Sequence, residues 1–129
     1  MMVDAQLWDS YCQPYFKFSE PFSYDGIAII TAENPASIRQ RYGVNRIENQ
    51  RLMSDLEPYD FVIVQVGNRT FSWVENSYAA KIDRSEAIAL ARKYRQNAIY
   101  YAVNKHLFLL SCLDDGIVKD LGEWDYRRV

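Results

Sequence analysis

Ile27-Ala28-Ile29-Ile30-Thr31-Ala32-Glu33-Asn34-Pro35-Ala36-Ser37 has the pattern of a core strand running into a fixed turn. Residues 27–30 are four consecutive apolar residues, which marks a strand buried on both faces. The run then turns polar and stops at Asn34-Pro35. Proline donates nothing to a ladder and biases the residue before it away from the helical region. Thr31, Glu33, Asn34 and Ser37 therefore collect near the tip of a central strand. Polar groups at such a tip form either a site or a turn that satisfies only itself.

Upstream, Asp4 to Tyr11 has helical spacing of Leu7, Trp8 and Tyr11, and Pro14 ends it. Tyr15 to Phe18 alternates like a short strand. Downstream, Asn45 and Glu48 have the spacing of a capping box, predicting a helix from Asn45 to about Glu57 that Pro58 stops. Its apolar stripe holds Leu52, Met53 and Leu56, and helical steps carry that line back through Asn49. Phe61 to Val66 reads as a strand, Gly67 to Thr70 as a hairpin turn, and Phe71 to about Tyr78 as the return strand. If Val66 pairs with Phe71, then Val62, Val64, Val66, Phe71, Trp73 and Glu75 share one face. Asp83 and Glu86 predict a second capping box, opening a helix with Ala87, Leu90, Ala91 and Tyr94 on one side. Ala98 to Val103 and Leu107 to Cys112 follow as strands around an Asn104-Lys105 turn. The tail from Leu113 is open to an added strand.

The order strand, helix, strand, strand, helix, strand leads to an α+β expectation. It fits a two-layer sandwich with a ferredoxin-like split βαβ order (βαββαβ) and both helices on one face of the sheet. Residues 1–26 would be an N-terminal extension, 27–112 the core, and 113–129 a tail with one extra strand. At 129 residues the chain has the length of one domain.

Composition narrows the function classes. A net charge of -2 argues against binding to a phosphate backbone. Ten Tyr and three Trp exceed what a core of this size needs and suit a pocket or an interface. Cys12 and Cys112 stand a hundred positions apart in no motif, and with a single His they make no metal set. They read as reduced thiols. With no apolar leader and no run long enough to span a bilayer, the expected compartment is the cytoplasm. No cofactor motif is present.

In the expected arrangement, the ends of several elements meet at one edge of the sheet. That gathers Asn34, Asn49, Gly67 to Thr70, Gln96 and Asn97, with Glu75 a few residues down the adjacent strand. Carboxamides with one carboxylate can exchange many directed hydrogen bonds with a polar ligand or a peptide backbone. The same residues have architectural uses. Asn before Pro makes turns, Asn97 after a helix suits a left-handed cap, and Asn49 can tie the turn to the helix. Glu75 is the hardest to explain by architecture alone, since a buried carboxylate is costly without partners.

The motifs at 30–37, Glu48-Asn49, the Gly67 turn, Trp73 to Ser77, and Gln96 to Ile99 occur in order. In this the chain resembles an uncharacterised bacterial family, domain-of-unknown-function family 3293, from about Trp8 to Phe108. The resemblance points to Asn34, Ser37, Asn49, Glu75, Ser77, Gln96 and Asn97 as site residues. Glu33 departs from it, standing where an aromatic is expected. The family carries no activity with it.

Two functions fit these residues. One is a binding or regulatory module with an amide-rich cleft for a polar small molecule or a protein segment. The other is a small-molecule enzyme with Glu75 as general base and Asn34, Asn49 or Asn97 orienting substrate. No His, Cys, Lys or metal constellation stands ready to share the enzyme's work. A Ser77–His106 hydrolase is disfavoured, because no nucleophile-elbow glycines flank Ser77. RNA binding ranks last. The stretch Arg69 to Val74 only faintly follows an RNA-recognition strand, and the first strand has no stacking aromatic. At low salt, where polyanion attraction is strongest, binding to single-stranded RNA is expected to be no tighter than about micromolar. A tight, salt-sensitive complex in a filter-binding or anisotropy titration would reverse that ranking.

Overall fold

A computed structural model describes residues 3–129. Asp4 opens the first helix, α1 (Ala5–Ser10), its carboxylate accepting from the Gln6 and Leu7 amides at 3.0 and 3.3 Å. Seven strands follow: β1 (Tyr15–Phe18), β2 (Ile27–Ile30), β3 (Phe61–Gly67), β4 (Val74–Lys81), β5 (Ala98–Val103), β6 (His106–Ser111) and β7 (Val118–Glu123). Two longer helices, α2 (Tyr42–Asp55) and α3 (Arg84–Lys93), lie between them. All seven strands join one sheet in the order β1-β3-β4-β2-β5-β6-β7, and every neighbouring pair is antiparallel.

The two-layer ferredoxin-like sandwich is not what the chain builds. A two-layer sandwich buries one face of its sheet, whereas this sheet buries both. On one face Ala28, Ile30 and Ala80 pack with Leu52 and Leu56 of the α2 region and with Ala87 and Ala91 of α3. On the other face Ile27, Ile29, Val64, Ala79, Ala102 and Leu107 pack with Phe16 and Trp124, and no helix lies among them. That second core exists because the sheet curls into a half-barrel. The segment after β7, at one edge, returns to β1 at the other. Phe16 bridges Arg128, the Val129 amide donates to Phe16 O at 2.9 Å, and Arg127 Nη1 donates to Pro14 O at 3.1 Å. Trp124 is 1 % exposed and meets Phe16 edge-on at 5.3 Å and Tyr24 at 6.0 Å. These contacts join residues a hundred or more positions apart, so local periodicity carries no trace of them. β1 and β7 are therefore structural strands of the curl rather than additions to a finished core.

Three local expectations also change. α2 begins at Tyr42, not Asn45, with Arg41 in extended backbone at its cap. The Asn45 side chain works elsewhere, and Glu48 pairs with Arg51 at 3.2 Å, so no capping box forms. The second box fails likewise: the Asp83 carboxylate accepts from Ser85 Oγ at 2.6 Å and Glu86 from Tyr59 OH at 2.5 Å. The hairpin loop is longer than four residues. Gly67 pairs with Val74 and Val66 with Glu75, leaving Phe71 and Trp73 in the loop. The shift from Phe71 to Glu75 is an even number of residues, so Glu75 stays on the face of Val62, Val64 and Val66. Gly67 is required by space, since a Cβ there would lie 2.5 Å from Trp73 O.

Because Trp124 fills the concave core, Trp124→Ala is expected to cost about 3 to 5 kcal/mol in urea unfolding. A loss under about 1 kcal/mol would mean that the curl does not depend on this contact.

Candidate functional site

The site grows from a problem of unpaired amides. Beyond Ile30 the chain leaves the sheet, and the Ala32 and Asn34 amides lose their ladder partners. Two carboxamides on α2 take them: Asn49 Oδ1 accepts from Ala32 N at 2.8 Å, and Asn45 Oδ1 accepts from Asn34 N at 2.9 Å. An i, i+4 pair lies on one face of a helix, one turn apart, so both carboxamides of α2 reach the segment that follows β2. Asn49 Nδ2 also holds Asn76 O at 2.9 Å and Glu33 Oε2 at 3.3 Å. Thus secured, the turn holds Asn34, Ala36 and Ser37 at φ of 47°, 55° and 61°, in the left-handed region. Non-glycine residues persist there only when their surroundings over-determine them. Ala36 N donates to Arg95 O at 2.7 Å, and Gln96 Nε2 donates to Glu33 O at 3.1 Å.

Asn34 is the hub. Its Oδ1 accepts from the Gln40 amide at 2.9 Å and from Asn45 Nδ2 at 3.0 Å. A backbone N–H can only donate, so the Asn34 oxygen faces Gln40 and its nitrogen faces Glu75. Asn34 Nδ2 donates to Glu75 Oε2 at 2.9 Å. Burial pushes the Glu75 carboxyl up to about 7; the Asn34 hydrogen bond opposes the shift and the Glu33 charge adds to it. Burial also raises Glu33, which is 8 % exposed, against hydrogen bonds from Asn76. The Tyr100 phenol is raised by burial first and then by the Glu75 charge, and its OH donates to Tyr11 O at 2.5 Å.

These groups line a cleft of about 860 Å3 at one end of the concave face. Ile29, Val66 and Leu109 make an apolar back wall, and α1, the Asn34 turn and the 68–73 loop form the rim. Asn34, Ser37, Glu75, Ser77, Gln96 and Asn97 all line it. On the rim, Asn97 Nδ2 donates to Ser37 Oγ at 3.2 Å and to Tyr11 OH at 3.3 Å, and the two hydroxyls also bond each other. Ser77 is buried and its Oγ turns to Glu75 O at 3.3 Å. Asn49 is not in the lining: it is buried behind the turn and holds it.

Of the expected hairpin turn, Gly67 and Asn68 reach the cleft, while Arg69 and Thr70 line a separate hollow of about 490 Å3 with Lys17 and Phe71. Asn97 is not the left-handed cap of α3. Arg95 is, at φ 57°, with Gln96 N bonded to Ala91 O and Arg95 N to Arg92 O in a Schellman pattern. Three participants escape sequence reasoning as site residues, Asn45, Tyr11 and Tyr100, and Glu33 was placed only at the strand tip. The i, i+4 repeat of Asn45 and Asn49 was a usable signal for one of them. His106 lies apart, 3.0 Å from Asp120. Both cysteines are free and buried, and burial pushes the Cys112 thiol up to about 12. Among the described residues no group of three or more His, Cys, Asp or Glu converges, and no helix is long and apolar enough to cross a membrane.

A curled antiparallel sheet with an amide-lined cleft at the end of its central strand is the class of protein this geometry defines. A family model described as Protein of unknown function (DUF3293) matches residues 30–99, and the chain belongs to that family. No curated protein and no solved structure matches it.

Asn49 and Glu75 give opposite stability predictions. Asn49→Ala leaves buried amide and carbonyl groups unpaired and is expected to cost about 1 to 3 kcal/mol, several degrees of Tm. Glu75 binds its proton more tightly folded than unfolded. Its contribution to stability is therefore full below about pH 4.5 and is lost as pH rises to about 7. Glu75→Gln is expected to erase that slope and to exceed the parent above that range by about 1 to 3 kcal/mol. Melting curves across the range check both, and a large loss for Glu75→Gln above it would make Glu75 architectural.

Proposed function

We propose that this chain is a small cytoplasmic binding or regulatory module whose cleft takes a polar small molecule or a partner segment. The Asn34–Glu75 hydrogen bond carries the reading. It holds a half-buried carboxyl at the wall of a ligand-sized cleft, with Gln96, Asn97 and Ser37 around it. An architectural carboxylate of this kind is normally neutralised by a cation, yet among the described residues neither Lys nor Arg pairs with Glu75. A segment of strained, non-glycine backbone held beside that carboxyl also favours a site over a plain turn.

A second reading rests on the Glu75 acidity. A carboxyl titrating near neutrality can take a proton and return it, which suits a general base with Asn34 orienting it. The two readings share the same residues and part on turnover.

A metabolite panel in a thermal-shift assay tests them. Ligand at a hundredfold excess over its Kd adds about 2.7 kcal/mol, so a hit is expected to raise Tm by several degrees. Asn34→Ala and Glu75→Gln are expected to abolish or weaken the shift. Chemical change of the hit selects the enzyme, and a shift without change selects the module. Hits indifferent to both substitutions would place binding elsewhere.

A further inference from the structure

Resting on that binding reading, we infer that the ligand carries a cationic nitrogen group, an amine or amidinium on an apolar or aromatic body, seated against Glu75. Hydrogen-bond accounting in the cleft supports this independently of charge. Around Glu75, the wall's Gln96, Tyr100 and Thr31 spend their N–H and O–H groups on backbone carbonyls. Gln96 Nε2 donates to the carbonyls of Glu33 and Tyr94 at 3.1 and 3.3 Å. Tyr100 OH and Thr31 Oγ1 donate to the carbonyls of Tyr11 and Asn76. At this part of the wall, beside Glu75 and Gln96, the capacity left to a ligand is for accepting. Among the described residues nothing donates to Glu75 Oε1, and the Gln96 amide, with its nitrogen fixed by two carbonyls, has its oxygen free.

Charge points the same way. Glu33 also lines the cleft, and its charge acts on Glu75 as a like charge. Arg39 is the single Lys or Arg among the described lining residues; it is exposed on the rim and pairs with neither. An anion would meet two carboxyls and few donors, whereas an ammonium would meet acceptors. Trp73, 51 % exposed at the mouth, offers a ring face to a cation or its body, and Ile29, Val66 and Leu109 offer apolar contact behind.

Tyramine, para-ethylphenol and para-hydroxyphenylacetate share one body and differ in head group; agmatine supplies the cation without the ring. Each is titrated by calorimetry into the full chain and into Glu75→Gln and Glu33→Gln, after melting curves show which variants are folded. Tyramine is expected to bind at least about tenfold tighter than para-ethylphenol. Glu75→Gln is expected to remove that preference, weakening tyramine by at least about tenfold more than para-ethylphenol; if Glu75→Gln does not fold, Glu33→Gln is expected to weaken the preference in the same direction. Equal binding of all head groups, or tightest binding of para-hydroxyphenylacetate, overturns the cationic assignment and leaves the cleft a binding site. If none of the four binds, the charge of the Glu75-dependent panel hits decides: cationic hits support the assignment, and neutral or anionic hits overturn it. Silence from the probes and the panel alike overturns both readings.

Discussion

The ends of β2 and the start of α2 are bound by two carboxamides that answer two backbone N–H groups, and the cleft depends on that match. A strand that stops inside a protein leaves amides facing away from water, and each unpaired one costs free energy on the scale of a lost hydrogen bond. Asn45 and Asn49, one helical turn apart, supply acceptors to both N–H groups. Among the described residues, four of the six that are buried and polar or charged, Glu33, Asn45, Asn49 and Ser77, gather around this junction. Polar burial is thus concentrated where the chain leaves the sheet, and Asn34 transmits it to Glu75 through a carboxamide with only one permitted orientation.

The curl gives this junction its surroundings. On a flat sheet Glu75 would face solvent on the side away from the helices. Here Phe16 and Trp124 close the concave face, Tyr100 lies over it, and α1 forms part of the rim. Burial then raises the Glu75 carboxyl, and the same burial leaves room for a ligand-sized space beside it. The acidity of the group and the shape of the cleft share one cause, the approach of the two ends of the chain.

Several parts of this were legible beforehand for identifiable reasons. The apolar run of residues 27–30, the return turn at Asn104-Lys105 and the apolar spacing of α3 are local patterns, and local backbone preference decides them. Glu75 reached its face despite a misjudged loop, because strand faces depend only on parity. The capping boxes failed because their side chains found better partners in the tertiary structure: Asn45 in the Asn34 turn, Glu86 in Tyr59. Glu33 passed as a departure from a family pattern, since only the fold shows Asn49 and Asn76 meeting its carboxyl.

By itself the sequence determined where most of the strands and the helices lie, though not their starts or the tail strand, and it placed the turn at Asn34-Pro35 and the polar residues at its tip. Each of these depends on neighbours within a few positions, where periodicity and proline act directly. Only the tertiary structure decided that the sheet curls, that both its faces are buried, and which carboxamides hold the turn while others line the cleft. Those outcomes rest on contacts between residues far apart, such as Arg127 with Pro14 and Asn34 with Glu75. Loop closure over such distances is won by packing and hydrogen bonding in the folded chain, and no local pattern encodes it.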